Sequence, residues 1–250
     1  MQQTREILRK IRRLELQTRR LVNSSFAGQY HSVFKGSGMN FDEVREYAPG
    51  DEIRSIDWNV TARMNVPHIK KFTEERELTV MLLVDVSASG SFGSIHLSKR
   101  ELGAEVASIL AFSAIQNNDK VGLILFSDHV ELFIPPKKGR LHILRLIRET
   151  LFFEPKGTST NLAVAFETLN RVMHRQAVVF VLSDFIAPDF FKPFAVATRR
   201  HDVIAFRIFD PAETLLPNIG IVTFEDAETG HQVDIDTANS QTVHRFIQHE

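Results

Sequence analysis

Leu78-Thr79-Val80-Met81-Leu82-Leu83-Val84, running straight into Asp85-Val86-Ser87-Ala88-Ser89, decides the fold class of this chain. A short, nearly unbroken apolar run reads as a strand buried on both faces, the kind found in a parallel sheet. A carboxylate at its C-terminal end stands where open α/β sheets keep their sites. One carboxylate and two hydroxyls in D-x-S-x-S spacing supply only hard oxygen donors, which suit Mg²⁺ or Mn²⁺ and not zinc or copper. Taken by itself, the pentapeptide is read equally well as an Asp/Ser turn that caps the next helix.

Working outward, the rest of the chain alternates strands with helices, as in a doubly wound, mostly parallel sheet. Strands are expected near 78–85, 120–127, 130–134, 177–183, 202–209 and 220–225, with helices near 97–117, 140–152, 161–175, 189–200 and 239–248. Asp128-His129 is too short for a crossover helix, so the strands on either side should form an antiparallel hairpin at the sheet edge. Glu225 to Gly230 reads as a turn leading to a short strand at 231–236. Before the sheet, Ile7, Ile11, Leu14 and Leu21 fall at helical spacing among arginines. That amphipathic helix is expected to pack on its own domain, the other reading being a docking or membrane-surface helix. Residues 23–63 look irregular and loop-rich, with Pro49-Gly50-Asp51 a strong turn, and 66–76 look extended. The expected division is an extension at 1–77 and the sheet domain at 78–250.

Two later segments extend the first motif. Gly157-Thr158-Ser159-Thr160-Asn161-Leu162 precedes a helical pattern, and Ala177 to Ser183 is a second apolar run that ends in Asp184. Together the three resemble the von Willebrand factor type A domain, a Rossmann-like fold with an antiparallel edge strand. Its metal-ion-dependent adhesion site joins D-x-S-x-S, a Thr from a second loop and an Asp after a later strand. The resemblance implies a metal site of Asp85, Ser87, Ser89, Thr160 and Asp184, taking Mg (or Mn). Thr158 is a rival for the Thr role and otherwise a candidate for partner contact. Gly36 to Phe41, Arg45 to Trp58, Thr61-Ala62-Arg63 and Ile69 to Arg76 are similar to the signature of the bacterial domain of unknown function 58. That resemblance implies work beside a MoxR-type AAA+ ATPase. Within the signature, Arg45, Arg54 and Arg63 are candidates for partner binding. Asp57 and Trp58 are read equally as part of such a recognition patch or as structural, Asp57 then pairing with an arginine and Trp58, the better core candidate, packing inside.

The donor types say what such a cation would do. Neutral Ser and Thr hydroxyls leave the ion most of its charge, and an acidic side chain of a partner is the natural occupant of its open position. The expected function is therefore a non-catalytic, metal-dependent protein-protein interaction module. A Mg-dependent, phosphatase-like hydrolase is the alternative, with Asp85 as phosphoryl acceptor. Against it, Ser87 stands where haloacid-dehalogenase-like phosphatases carry a second Asp. No P-loop, dinucleotide loop or G-x-S-x-G elbow occurs, so ATP hydrolysis would come from the partner. The ten histidines are scattered, with His96 and His129 as weak candidates for the border of the site.

Composition bounds these readings. The 250 residues suffice for one well-buried domain plus an extension. Lys and Arg total 30 against 31 Asp and Glu, so no overall field favours nucleic acid or an anionic membrane. The lack of cysteine removes disulfides, iron-sulfur clusters, thiol catalysis and Cys-based zinc sites. No apolar stretch approaches the ~20 residues a transmembrane helix needs, and the arginine-rich start has no signal-peptide h-region. A cytoplasmic protein is expected.

Overall fold

The computed structural model describes residues 40–73, 77–94, 97–214, 218–226 and 228–239. These fall into two compact units, one within 28–78 and the other from Thr79 onward. The expected amphipathic helix before residue 23, residues 240–248 of the expected last helix, and His96 lie outside the described residues.

In the first unit, β1 (Asn40–Glu46) pairs antiparallel with β2 (His68–Thr73), and α1 (Trp58–Met64) lies between them in sequence. Regular structure here corrects the expectation of an irregular segment over 23–63. β1 gains its hydrogen bonds from a strand more than 20 residues away, which no local pattern announces. Asp57 starts α1 as its N-cap, accepting from the N–H groups of Asn59 and Val60. Its charge partner is Lys70 at 3.2 Å, not an arginine. Trp58 is 68% exposed and is not a core residue, because the first turn of α1 aims it outward. The Pro49-Gly50-Asp51 turn is present, with Gly50 at φ 111° and Asp51 N–H donating to Ala48 O.

The second unit is built on a five-stranded sheet in the order β5-β4-β3-β6-β7. These are β3 (Thr79–Asp85), β4 (Lys120–Phe126), β5 (Val130–Lys137), β6 (Val178–Ser183) and β7 (Asp202–Arg207). All neighbours are parallel except β4 and β5, the expected antiparallel hairpin. The connecting helices are α2 (Lys99–Gln116), α3 (Arg140–Phe152), α4 (Leu162–Val172) and α5 (Phe191–Arg200). Alternate residues of β3 point to opposite faces. Met81 and Leu83 join Ile124, Val179 and Val181 against Leu162, Phe166 and Leu169 of α4. Val80, Leu82 and Val84 are buried just as fully on the other face, which explains why the run shows no polar alternation. After Phe209, a one-turn α6 (Pro211–Thr214) follows β7. The expected strand at 220–225 exists as β8 (Ile221–Glu225), yet it pairs only with β9 (Gln232–Asp236) and stands apart from the central sheet.

Strand order fixes where a site can form. From β3 the chain moves outward to β4 and β5 on one side, and β6 and β7 continue on the other. The order therefore reverses between β3 and β6, and the carboxyl ends of these two strands bound the crevice where α/β sheets bind ligands. Asp85 ends β3, and Asp184 follows β6 directly.

Candidate functional site

Asp85 is held by both of its oxygens. Oδ1 accepts from the Ser87 N–H at 2.9 Å, and Oδ2 accepts from the Ser183 hydroxyl at 2.7 Å. The first of these bonds folds Val86 and Ser87 back in an Asx turn. Ser87 Oγ then lies 3.1 Å from Ser89 Oγ, and Ser89 donates to Asp184 Oδ2 at 3.0 Å. Asp184 is fixed from its other side, where Oδ1 accepts from the Ile186 N–H. Between them Phe185 takes a left-handed φ of 63°. That conformation is costly for a bulky residue, and such strain clusters at functional sites.

The second loop is fastened to the first by the Ala88 N–H, which donates to Thr158 O at 2.9 Å. Its shape depends on Glu131 of β5, whose carboxylate accepts from the N–H groups of Lys156 and Gly157 and from the Ser127 hydroxyl. Burial pushes the Glu131 carboxyl up, but these donors and the neighbouring His129 hold it below the usual range. Thr158 exposes its side chain, whereas Thr160 is buried and donates from Oγ1 to Glu228 Oε1 at 2.9 Å. Asn161 caps α4 through Ala163 and Val164 and so ends the loop. The arginines belong to the other unit. Arg45 is tied to Asp51 in a two-pronged ion pair, while Arg54 and Arg63 are exposed.

Four side chains in or beside the crevice escaped the sequence reading: Lys99, Arg100, Ser183 and Glu228. Lys99 is buried, with Nζ 2.8 Å from Asp184 Oδ2 and 2.6 Å from Glu213 Oε1. Burial opposes its charge, but the two carboxylates raise its pKa above the ordinary lysine value. Arg100 Nη2 donates to Val86 O at 2.6 Å, and burial lowers its pKa against the pull of Asp85. Burial likewise pushes the Asp85 carboxyl up, offset in part by the Ser183 and Ser87 hydrogen bonds, with the charge of Asp184 adding to the rise. Glu228 is raised first by burial and then by the charges of Asp85 and Asp184, against its bond to Thr160. The local signal for Lys99 was present in Ser98-Lys99-Arg100-Glu101, a capping box that opens α2 at the mouth of the crevice. Glu228 sits in a turn 68 residues beyond Thr160 and carries no such signal.

A sequence model described as "Protein of unknown function DUF58" matches residues 43–250. The chain belongs to the DUF58 family. Among its relatives is the uncharacterized protein Rv1480 of Mycobacterium tuberculosis, 33% identical over 233 residues, covering 91% of this chain and 74% of that protein. Another is the uncharacterized protein YeaD of Bacillus subtilis, 28% identical over 166 residues, or 66% of this chain and 38% of that protein. Among solved structures, an aerotolerance-related membrane protein from Bacteroides fragilis with multiple mutations to serines aligns over 68% of this chain and 87% of its own, at 17% identity and a TM-score of 0.47. Within the described residues of this DUF58 chain, no helix is long and apolar enough to cross a membrane.

Among those residues, too, no three His, Asp or Glu side chains gather as a metal-binding group. A cation in this DUF58 crevice would depend on hydroxyl donors. The spacing suits one: adjacent ligands of an octahedral Mg²⁺, each at about 2.1 Å, lie about 3.0 Å apart. Ser87 Oγ and Ser89 Oγ are spaced at 3.1 Å, and Asp184 Oδ2 accepts from Ser89 at 3.0 Å. The same separations serve ordinary hydrogen bonds when no ion is bound. Each Asp85 oxygen accepts one hydrogen bond and keeps a second lone pair, whereas Asp184 Oδ2 accepts from both Ser89 and Lys99, which leaves Asp184 to support a cation through a bound hydroxyl or water.

Proposed function

We propose that this protein is a cytoplasmic, non-catalytic interaction module of von Willebrand type A-like design. A Mg²⁺ or Mn²⁺ would be held by Ser87, Ser89 and Thr160, with Asp85 and Asp184 supporting it through water, and would bind an acidic side chain of a partner protein. The partner that the family resemblance implies is a MoxR-type AAA+ ATPase. One observation carries the reading. Ser87 Oγ and Ser89 Oγ lie 3.1 Å apart, the spacing of adjacent ligands, and Asp184 from the second loop at the strand-order reversal supports the pair by accepting from Ser89 at 3.0 Å.

Ligand type supports adhesion over catalysis. Neutral hydroxyl ligands leave a divalent ion most of its charge, so it would call for an anionic ligand. Bound there, the ion supplies an electrophilic position that a carboxylate can fill. Cation and acidic partner should therefore strengthen each other's binding, since coupling between two ligands is reciprocal. A haloacid-dehalogenase-like phosphatase carries a second Asp two residues after the nucleophile, and this chain has Ser87 there. That favours the non-catalytic reading.

The test is Mn²⁺ binding followed by electron paramagnetic resonance, combined with a phosphatase and nucleotidase screen in Mg²⁺ and Mn²⁺. The full chain should bind one Mn²⁺, Ser87→Ala should lose it, and no substrate should turn over. Metal-dependent turnover that Asp85→Asn abolishes would overturn the proposal.

A further inference from the structure

The contact between Thr160 and Glu228 has a second meaning. Glu228 belongs to a turn that presents it outward from the β8–β9 hairpin. Asp226 Oδ1 accepts from the Glu228 and Thr229 N–H groups, the Thr229 hydroxyl donates to Asp226 Oδ2, and Gly230 N–H closes onto Asp226 O. Gly230 takes a φ of 70°, which a side chain would resist. The carboxylate on this turn reaches Thr160 Oγ1 at 2.9 Å, the separation of two neighbouring ligands on one hard cation. Among the described residues no lysine or arginine pairs with Glu228, although the negative charges of Asp85 and Asp184 act on it. A half-buried carboxylate in that position gains nothing from its charge unless a cation joins it.

The hairpin that carries Glu228 is lightly held. Among the described residues, β8 and β9 pair with one another and with no other strand. Ile221 is 76% exposed, Ile219 67% and Val233 42%, and Ile235 is the one hydrophobic residue of β9 that is buried. Segments with so few buried apolar contacts open at low free-energy cost.

We infer that Glu228 is an internal stand-in for the partner's acidic side chain: it occupies the open position beside Thr160 at rest, and the partner binds by displacing the hairpin with a carboxylate of its own on an exposed turn. The inference rests on the metal-dependent adhesion proposed above. It also narrows the partner to a protein that presents Glu or Asp at the tip of a loop, in the manner of Asp226 to Thr229.

Water-proton relaxivity of bound Mn²⁺ tests it, because each water in the ion's inner shell adds to the signal. The full chain should be compared with Glu228→Ala, Glu228→Gln and Ser87→Ala. Removing the carboxylate should let a water take its place, so Glu228→Ala should show a higher relaxivity per bound ion than the native protein. Acetate should then lower the relaxivity of Glu228→Ala and leave the native protein unchanged. Glu228→Gln keeps the bond to Thr160 but loses the charge, and it should behave like Glu228→Ala. If native and Glu228→Ala proteins bind Mn²⁺ with equal relaxivity, or respond equally to acetate, Glu228 does not reach the ion and the inference fails while the metal site stands. If the native protein binds no Mn²⁺, both fail.

Discussion

Lys99 sets the charge of the crevice. Its ammonium group joins Asp184, just past β6, to Glu213 of α6, and all three are largely removed from water. Removing one member of a buried ion pair strands the others, at a cost of about 3–5 kcal/mol. Lys99→Met should therefore lower stability by about 3 kcal/mol, at the low end because Glu213 keeps partial access to solvent. Urea denaturation gives that value directly. The same substitution frees Asp184 Oδ2 and removes a competing positive charge, so Mn²⁺ should bind more tightly and restore part of the lost stability. A variant that was destabilised but blind to Mn²⁺ would count against a cation at Asp184. At this scale the sequence was informative where the donors are local. Asp85, Ser87 and Ser89 share one pentapeptide, and Thr160 and Asp184 each sit at a recognisable junction of loop and element. Lys99 and Glu228 were not legible as site residues, because what brings them in is the course of the chain through α2 and the terminal hairpin.

The loop that carries Thr160 is held by a glycine and a glutamate. A Cβ on Gly157 would lie 2.1 Å from Asp128 Oδ1 and 2.3 Å from Ser127 Oγ, far inside contact distance. Asp128 is exposed and can turn away, but Ser127 is buried and donates to Glu131, so Gly157→Ala should disturb the Glu131 carboxylate that binds the N–H groups of Lys156 and Gly157. The expected cost is about 1–3 kcal/mol, the usual range for forced overpacking. Amide exchange should quicken at 156–161, and Mn²⁺ affinity should fall with it. Unchanged exchange would mean that the loop is held by other contacts. The elements of the central sheet were legible because each strand is a short apolar run between turn signals. β1 and α1 were not, since one is made by a distant partner strand and the other exposes its aromatic residue to solvent. β8 was found as a strand but not as an outlier to the sheet, because its sequence does not say which partner it will choose.

Across the whole molecule, the sheet brings three loops together at the reversal between β3 and β6, and a mostly self-contained hairpin reaches back to the same crevice. On the proposal, hydroxyls of these loops hold a cation whose open position takes a carboxylate, that of Glu228 at rest and the partner's in the complex. The most direct measurement is isothermal titration of a MoxR-type ATPase from the same genome into the full chain, first with Mg²⁺ and then with EDTA. The account predicts binding that EDTA abolishes and that Ser87→Ala loses even in Mg²⁺. Equal affinity under both conditions would contradict it.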